Sequence, residues 1–131
     1  MSESKIKIIF EDGLEIHGIL NSKLNPKTVE AILKDLPFES TVNLWGEEIY
    51  FSIPTKVGLE KGQEYVDVGT IAYWPEGHSL CLFFGRTPVS TDDRPKAYSP
   101  VSVIGYFSEG DAKLLKKVKN GEKVTVQQVE K

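Results

Sequence analysis

The sequence predicts a mainly β domain whose sheet closes, or nearly closes, into a barrel with two short α-helices capping its ends. Three observations predict it. Extended runs with the two-residue period of strands recur through the chain, turn residues punctuate them at short intervals, and only two stretches carry a helical apolar stripe. At 131 residues the chain fits a single domain, 1–131, long enough to bury one core without cross-links.

Lys5 to Phe10 alternates, with Ile6, Ile8 and Phe10 on one side. Glu11-Asp12-Gly13 supplies a hairpin turn, because glycine accepts the positive φ such turns need. Leu14, Ile16, Gly18 and Leu20 then return on one face. Asn25-Pro26 opens a helix: Asn can cap an orphan amide, and proline fits the first helical position, where its missing N–H costs nothing. Val29, Ile32, Leu33 and Leu36 follow at helical spacing, and Pro37 ends the helix. Ser40 to Ile53 reads as one extended segment. Trp45, Glu47, Ile49, Phe51 and Ile53 share one face; Leu44, Gly46, Glu48, Tyr50 and Ser52 share the other. Gly46 inside it signals a bulge or a close backbone approach, and Pro54 to Gly62 is connection.

The apolar density is highest from Tyr65 to Phe107. A buried strand runs into a tight Trp74-Pro75-Glu76-Gly77 turn, which admits a cis bond at Trp74-Pro75 although trans is the ordinary state. A second buried strand spans Leu80 to Phe84, then come a long polar loop and a third strand, Val101 to Phe107. Ser108 to Asp111 opens the second helix, whose stripe is Leu114, Leu115 and Val118; Asn120-Gly121 closes it, and Lys123 to Val129 is the last strand.

Composition excludes several classes of function. A net charge of -3 lacks the basic footprint of a nucleic-acid or anionic-membrane binder. Arg86 and Arg94 are the only arginines, so bidentate recognition of phosphate or carboxylate has few candidates. The single cysteine, Cys81, forms no internal disulfide and suits a reducing compartment. The opening MSESKIKIIFEDG is neither a signal peptide nor a membrane span, so a cytoplasmic protein is expected. Nothing matches a dinucleotide fingerprint or a P-loop, and no cofactor is expected.

Among candidate chemistries, His78 stands three residues before Cys81, but strand positions three apart face opposite ways, and Leu80, Leu82 and Phe83 surround the thiol. Cys81 therefore reads as a small buried hydrophobe rather than a nucleophile. His17, His78, Cys81, Asp92 and Asp93 show no metal-ligand spacing, and no metal is expected. Glu47, if its face is the core, needs a partner such as Arg86 or a backbone donor; a functional carboxylate with a raised pKa is the second reading. Leu80 to Phe84 is apolar on both faces, so a second layer must cover its outside, and the proline-rich loop Thr87 to Pro100 is the natural cover. Incomplete cover would leave an apolar groove rimmed by Glu48, Tyr50, Arg86 and Tyr98.

Several motifs carry a resemblance. NPKTVEAILKDLPF resembles the first cyclophilin helix, and VIGYFSEGDAKLLKKVKNGEKVTV resembles the cyclophilin end. Trp45 to Phe51, Gly69 to Gly77, Cys81 to Ser90 and Ser99 to Gly105 are similar, in order, to segments of a prokaryotic cyclophilin-like family of minimal barrels. The resemblance implies a closed cyclophilin-like barrel. It also brings a contrast: active peptidyl-prolyl isomerases of this fold carry an F-H-R strand and a Q-G-G-D segment, whereas the corresponding strand here, VNLWGEEIYFSI, has Glu47 and Glu48 and no arginine. The expected function is therefore binding of a small molecule or an extended, proline-containing peptide without classical isomerase catalysis. Tyr50, Phe84 and Tyr98 would supply stacking surface, Arg86 an anionic anchor and Glu48 a hydrogen-bond acceptor. No catalytic residue is assigned. The alternatives are a non-classical prolyl isomerase, resting on fold analogy, and a structural protein that forms a homodimer through an exposed apolar face.

Overall fold

The structure, a computed structural model, describes residues 3–129. Its strands are β1 (Glu3–Phe10), β2 (Glu15–Asn21), β3 (Phe38–Thr41), β4 (Asn43–Leu44), β5 (Glu48–Ser52), β6 (Gly62–Tyr65), β7 (Thr70–Trp74), β8 (Ser79–Phe83), β9 (Lys96–Phe107) and β10 (Lys123–Gln128). The helices are α1 (Pro26–Asp35) and α2 (Glu109–Leu114), the latter running on into a 3₁₀ turn, Leu115–Lys117. The strands form one sheet in the order β3-β10-β1-β2-β9-β7-β8-β5-β4, with β6 paired to β9 beside this path. All its pairings are antiparallel. Among the described residues no helix is long and apolar enough to cross a membrane.

The expected closed barrel is not what the hydrogen bonds make. The outermost strands of the sheet, β3 and β4, are successive pieces of one segment separated by Val42. At that residue the chain changes partner, from β10 to β5. The Val42 N–H donates to Glu122 O at 2.8 Å and its carbonyl accepts from Gly121 N at 2.9 Å, so both its backbone groups are engaged on the β10 side. Among the described residues no ladder completes the ring. The protein is mainly β with two helices, its sheet curled but not closed by hydrogen bonding.

Alternation sorts the strands into two faces. The inner face carries Ile6, Ile8 and Phe10 from β1, Ile16 and Leu20 from β2, Ile49 and Phe51 from β5, Ile71 and Tyr73 from β7, and Leu80 and Leu82 from β8. Val29 and Ile32 of α1 and Ala112, Leu115 and Val118 of the second helical segment pack into the same cluster. Register makes this grouping obligatory, since a one-residue slip would send every side chain to the opposite face.

Helix α1 begins where expected but is capped from elsewhere. Asn25 makes no capping bond with its side chain; instead its Nδ2 donates to Val103 O at 2.6 Å and its Oδ1 accepts from Lys61 N at 2.9 Å. The orphan Thr28 amide donates to Glu60 Oε1 at 2.6 Å, and the Thr28 hydroxyl donates to the same oxygen at 2.7 Å. At α2 the sequence signal holds, for Ser108 Oγ accepts from Asp111 N at 3.1 Å.

Ser40 to Ile53 is not a single strand. Trp45 and Glu48 exchange backbone bonds, Trp45 N to Glu48 O at 2.9 Å and Glu48 N to Trp45 O at 3.2 Å, which closes a turn between β4 and β5. Gly46 sits in that turn at φ +61°, and a Cβ there would come within 2.8 Å of Pro88 Cδ and 3.0 Å of Arg86 O. Both a positive φ and a close approach therefore demand glycine. The structure's cis peptide lies at Leu36-Pro37, not at Trp74-Pro75. β9 begins at Lys96, ahead of the predicted Val101, and β6 occupies part of the predicted connection.

Candidate functional site

The outer face of the sheet carries a second, smaller apolar cluster: Val66, Ala72, Cys81, Phe83, Ala97 and Val101. It exists because β8 is buried along its whole length, so both of its faces need cover. Ala97 and Val101, at the start of β9, and Val66 supply that cover. The loop leading into β9 is tied down by the Thr87 hydroxyl, which donates to Lys96 O at 2.5 Å, and by Tyr65 and Thr91, whose hydroxyls lie 2.6 Å apart.

Beside this cluster the cover stops and a pocket of about 170 Å³ opens, lined by Trp45, Glu48, Tyr50, Trp74, Ala97, Tyr98 and Val101. β5 projects Glu48 and Tyr50 to the outer face, β7 ends on Trp74, the β4–β5 turn carries Trp45, and β9 brings Tyr98. The four rings form a connected series. Trp45 and Tyr98 lie 6.0 Å apart with planes at 80°, Tyr98 and Trp74 6.2 Å at 80°, and Trp74 and Tyr50 6.0 Å at 85°. Each plane stands nearly perpendicular to the next, the edge-to-face geometry that ring quadrupoles favour. Trp74 is fixed further by its Nε1, which donates to Ser99 Oγ at 2.7 Å. Tyr98, 71% exposed, forms the outer wall.

Glu48 is the polar element of this pocket. It is 5% exposed, and its Oε1 is buried without a hydrogen-bond partner. Burial pushes its carboxyl up to about 7, opposed only in part by the hydrogen bond from the Cys81 thiol. Cys81 is the diagonal neighbour of Glu48 across the β5–β8 ladder, where Tyr50 faces Cys81 and Glu48 faces Phe83. Burial, reinforced by the Glu48 carboxyl, drives the thiol pKa well upward, so Cys81 is a neutral, unreactive thiol, in keeping with the sequence reading.

Of the five residues expected to bind ligand, the structure brings Glu48, Tyr50 and Tyr98 to one pocket. Phe84 turns to the inner cluster, as alternation after the outward Phe83 requires. Arg86 is exposed, its Nη2 donating to Ser90 O at 3.3 Å. Arg94 holds Asp92 at 2.8 Å and stacks over Tyr65, so neither arginine lines the pocket. Trp45 and Trp74 were absent from the sequence-based set. Trp45 reaches the pocket because the turn at Gly46 removes it from the face of Ile49 and Phe51. Glu47, expected to need a partner such as Arg86 or a backbone donor if its face were the core, is half-exposed. Its Oε2 lies 3.8 Å from Lys116 Nζ, and its link to Arg86 is the backbone bond from Glu47 N to Arg86 O at 2.8 Å. His78 is exposed in a left-handed conformation at φ +46°, away from the buried Cys81. Among the described residues no three of His, Cys, Asp and Glu are grouped so as to hold a metal ion.

A curled antiparallel sheet packed with two helices, bearing an aromatic pocket on its outer face, defines the class. The Cyclophilin-like family model matches residues 4–127, and the chain belongs to that family. The solution structure of a hypothetical protein from Archaeoglobus fulgidus is similar over 98% of this chain and 96% of its own, at 39% identity and a TM-score of 0.82. No curated protein matches the sequence.

Proposed function

We propose that the outer-face pocket binds a small molecule, or one apolar group of an extended peptide, between the rings of Trp45, Tyr50, Trp74 and Tyr98, with Glu48 as the hydrogen-bonding group. The observation that carries this reading is the unpartnered Oε1 of a carboxyl buried among aromatic side chains. A buried polar atom without a partner costs stability, roughly 1–3 kcal/mol or more for a charged group, and a ligand that hydrogen-bonds it offsets that cost. An apolar concavity with one polar group is the usual form of a small-ligand site. We further propose that the chain does not run classical prolyl isomerisation. In support, neither Arg86 nor Arg94 lines the pocket, and the one ionisable group at its base is a carboxyl, which cannot polarise a carbonyl as a guanidinium does.

The test is titration of the protein with metabolite and proline-containing peptide libraries, followed by the indole N–H resonances of Trp45 and Trp74. Binding should move both signals. Uniform absence of binding, or shifts confined to other surfaces, overturns the reading. A protease-coupled assay should show no acceleration of X-Pro isomerisation.

A further inference from the structure

The walls and base of the pocket together specify a charge. Four aromatic side chains line the space, and an aromatic ring offers negative electrostatic potential at its face. At the base lies a carboxyl that no lysine or arginine among the described residues reaches: the lysines and arginines in ion pairs are Lys7 with Glu15, Arg94 with Asp92 and Lys116 with Glu47. The titratable groups facing Glu48 are the Cys81 thiol from β8 and the phenols of Tyr50 and Tyr98 from β5 and β9, while β7 contributes Trp74; none of these brings a positive charge. The neighbouring Glu47 is turned toward Lys116. An anionic ligand would meet repulsion from the carboxylate at the base. A neutral one would leave the carboxylate uncompensated.

We propose that this pocket recognises a compact alkylated ammonium group, whose methyl groups pack against the four rings and whose charge pairs with Glu48. Cation–π attraction favours Trp and Tyr within about 6 Å of the charge and is strongest where water is excluded. The volume, about 170 Å³, accommodates a branched ammonium head. The inference rests on the reading of the pocket as a ligand site and adds the sign of the ligand's charge. It also fixes a pH dependence. With the empty-site carboxyl at about 7, the carboxylate is the minor form below neutrality and the major form above it. A cation selects the carboxylate, so its affinity rises with pH and levels off above the empty-site value.

The experiment is calorimetric titration of the full chain with choline and with its neutral isostere 3,3-dimethyl-1-butanol, at pH 6 and pH 8. A peptide bearing trimethyllysine forms a third arm, which distinguishes a free compound from a modified side chain as the source of the group. Choline or the peptide should bind at least about tenfold more tightly than the alcohol at pH 8. It should weaken roughly tenfold at pH 6, following the ionised fraction of Glu48. Glu48→Gln, which removes the charge and keeps the shape, should abolish the pH dependence and reduce the preference for the cation to what the rings alone supply. Equal affinity for choline and the alcohol overturns the charge assignment while leaving a binding pocket in place. Affinity that rises as pH falls also overturns it, since protonated Glu48 would then be donating to a neutral ligand. If neither cation binds, the inference fails, and the library titration decides separately whether the pocket binds anything.

Discussion

The two faces of this sheet are built from the same strands, yet they are finished differently. On the inner face the polar group of Tyr73 is fully used: its hydroxyl donates to Thr55 O at 2.8 Å and accepts from Val57 N at 3.4 Å. On the outer face, two strands away, Glu48 is buried with an oxygen unpartnered, and the aromatic layer beside it stops short of covering the sheet. A core that can satisfy Tyr73 shows that this fold tolerates buried polar groups when it pairs them. The contrast therefore separates what the sheet needs for folding from what it retains at some cost to stability.

The largest effect that would sharpen this contrast is at the centre of the inner face. Phe51 is fully buried there, so Phe51→Ala should cost about 3–5 kcal/mol through lost transfer energy and the cavity left behind, measured by urea denaturation. A loss below about 1 kcal/mol would mean that the inner cluster is not the stabilising core.

Glu48 should behave in the opposite sense. Its carboxyl is raised from 4.5 to about 7 by burial, so in this pH range the unfolded chain ionises before the folded one. Below pH 4.5 both states are protonated and the group contributes nothing. Between 4.5 and 7 the unfolded state alone loses its proton, and stability falls as pH rises, levelling off above about 7. The fall attributable to this residue is of order 3 kcal/mol, taking 1.36 kcal/mol per pKa unit. Glu48→Gln should remove it, so the variant's advantage over the parent should grow by that amount between pH 4.5 and pH 8. Parallel stability curves for the two proteins would show the carboxyl to be compensated in the folded state.

How much of this contrast could be read in the sequence depended on whether the signal was local. The β1–β2 hairpin, both helices and the last strand follow from period, caps and glycine turns that lie within a few residues of one another. The need for a second layer over β8 also followed from its own two-sided apolarity. What failed depended on distant partners. Gly46 signalled an irregularity, but not the Trp45–Glu48 exchange that closes it into a turn packed against Arg86 and Pro88, and that turn moves Trp45 between faces. β6, with the polar sequence GQEY, has no alternation of its own and exists because β9 offers it an edge. Asn25 carried a capping signal, yet Glu60 caps the helix from across the fold. Phe84 and Phe83 could be assigned to faces only once the register of β8 was known.

The smallest stability effect is expected at Tyr98, and it bears on what the aromatic layer is for. Tyr98 is 71% exposed and touches Trp45 and Trp74 edge to face, so removing its ring uncovers little and leaves no enclosed cavity. Exposed aromatic contacts of this kind fall at the low end of the roughly 0.5–1.5 kcal/mol measured for ring pairs, and Tyr98→Ala should change stability by less than about 1 kcal/mol. The same substitution takes away the outer wall of the pocket. Ligand affinity should fall by about tenfold or more, the loss of one well-placed contact of roughly 1.4 kcal/mol. A side chain that matters more for binding than for folding belongs to a site; one whose loss costs as much as Phe51 belongs to a core. If Tyr98→Ala unfolds the protein as readily as Phe51→Ala, the outer rings are structural cover, and the two faces of the sheet differ in degree only.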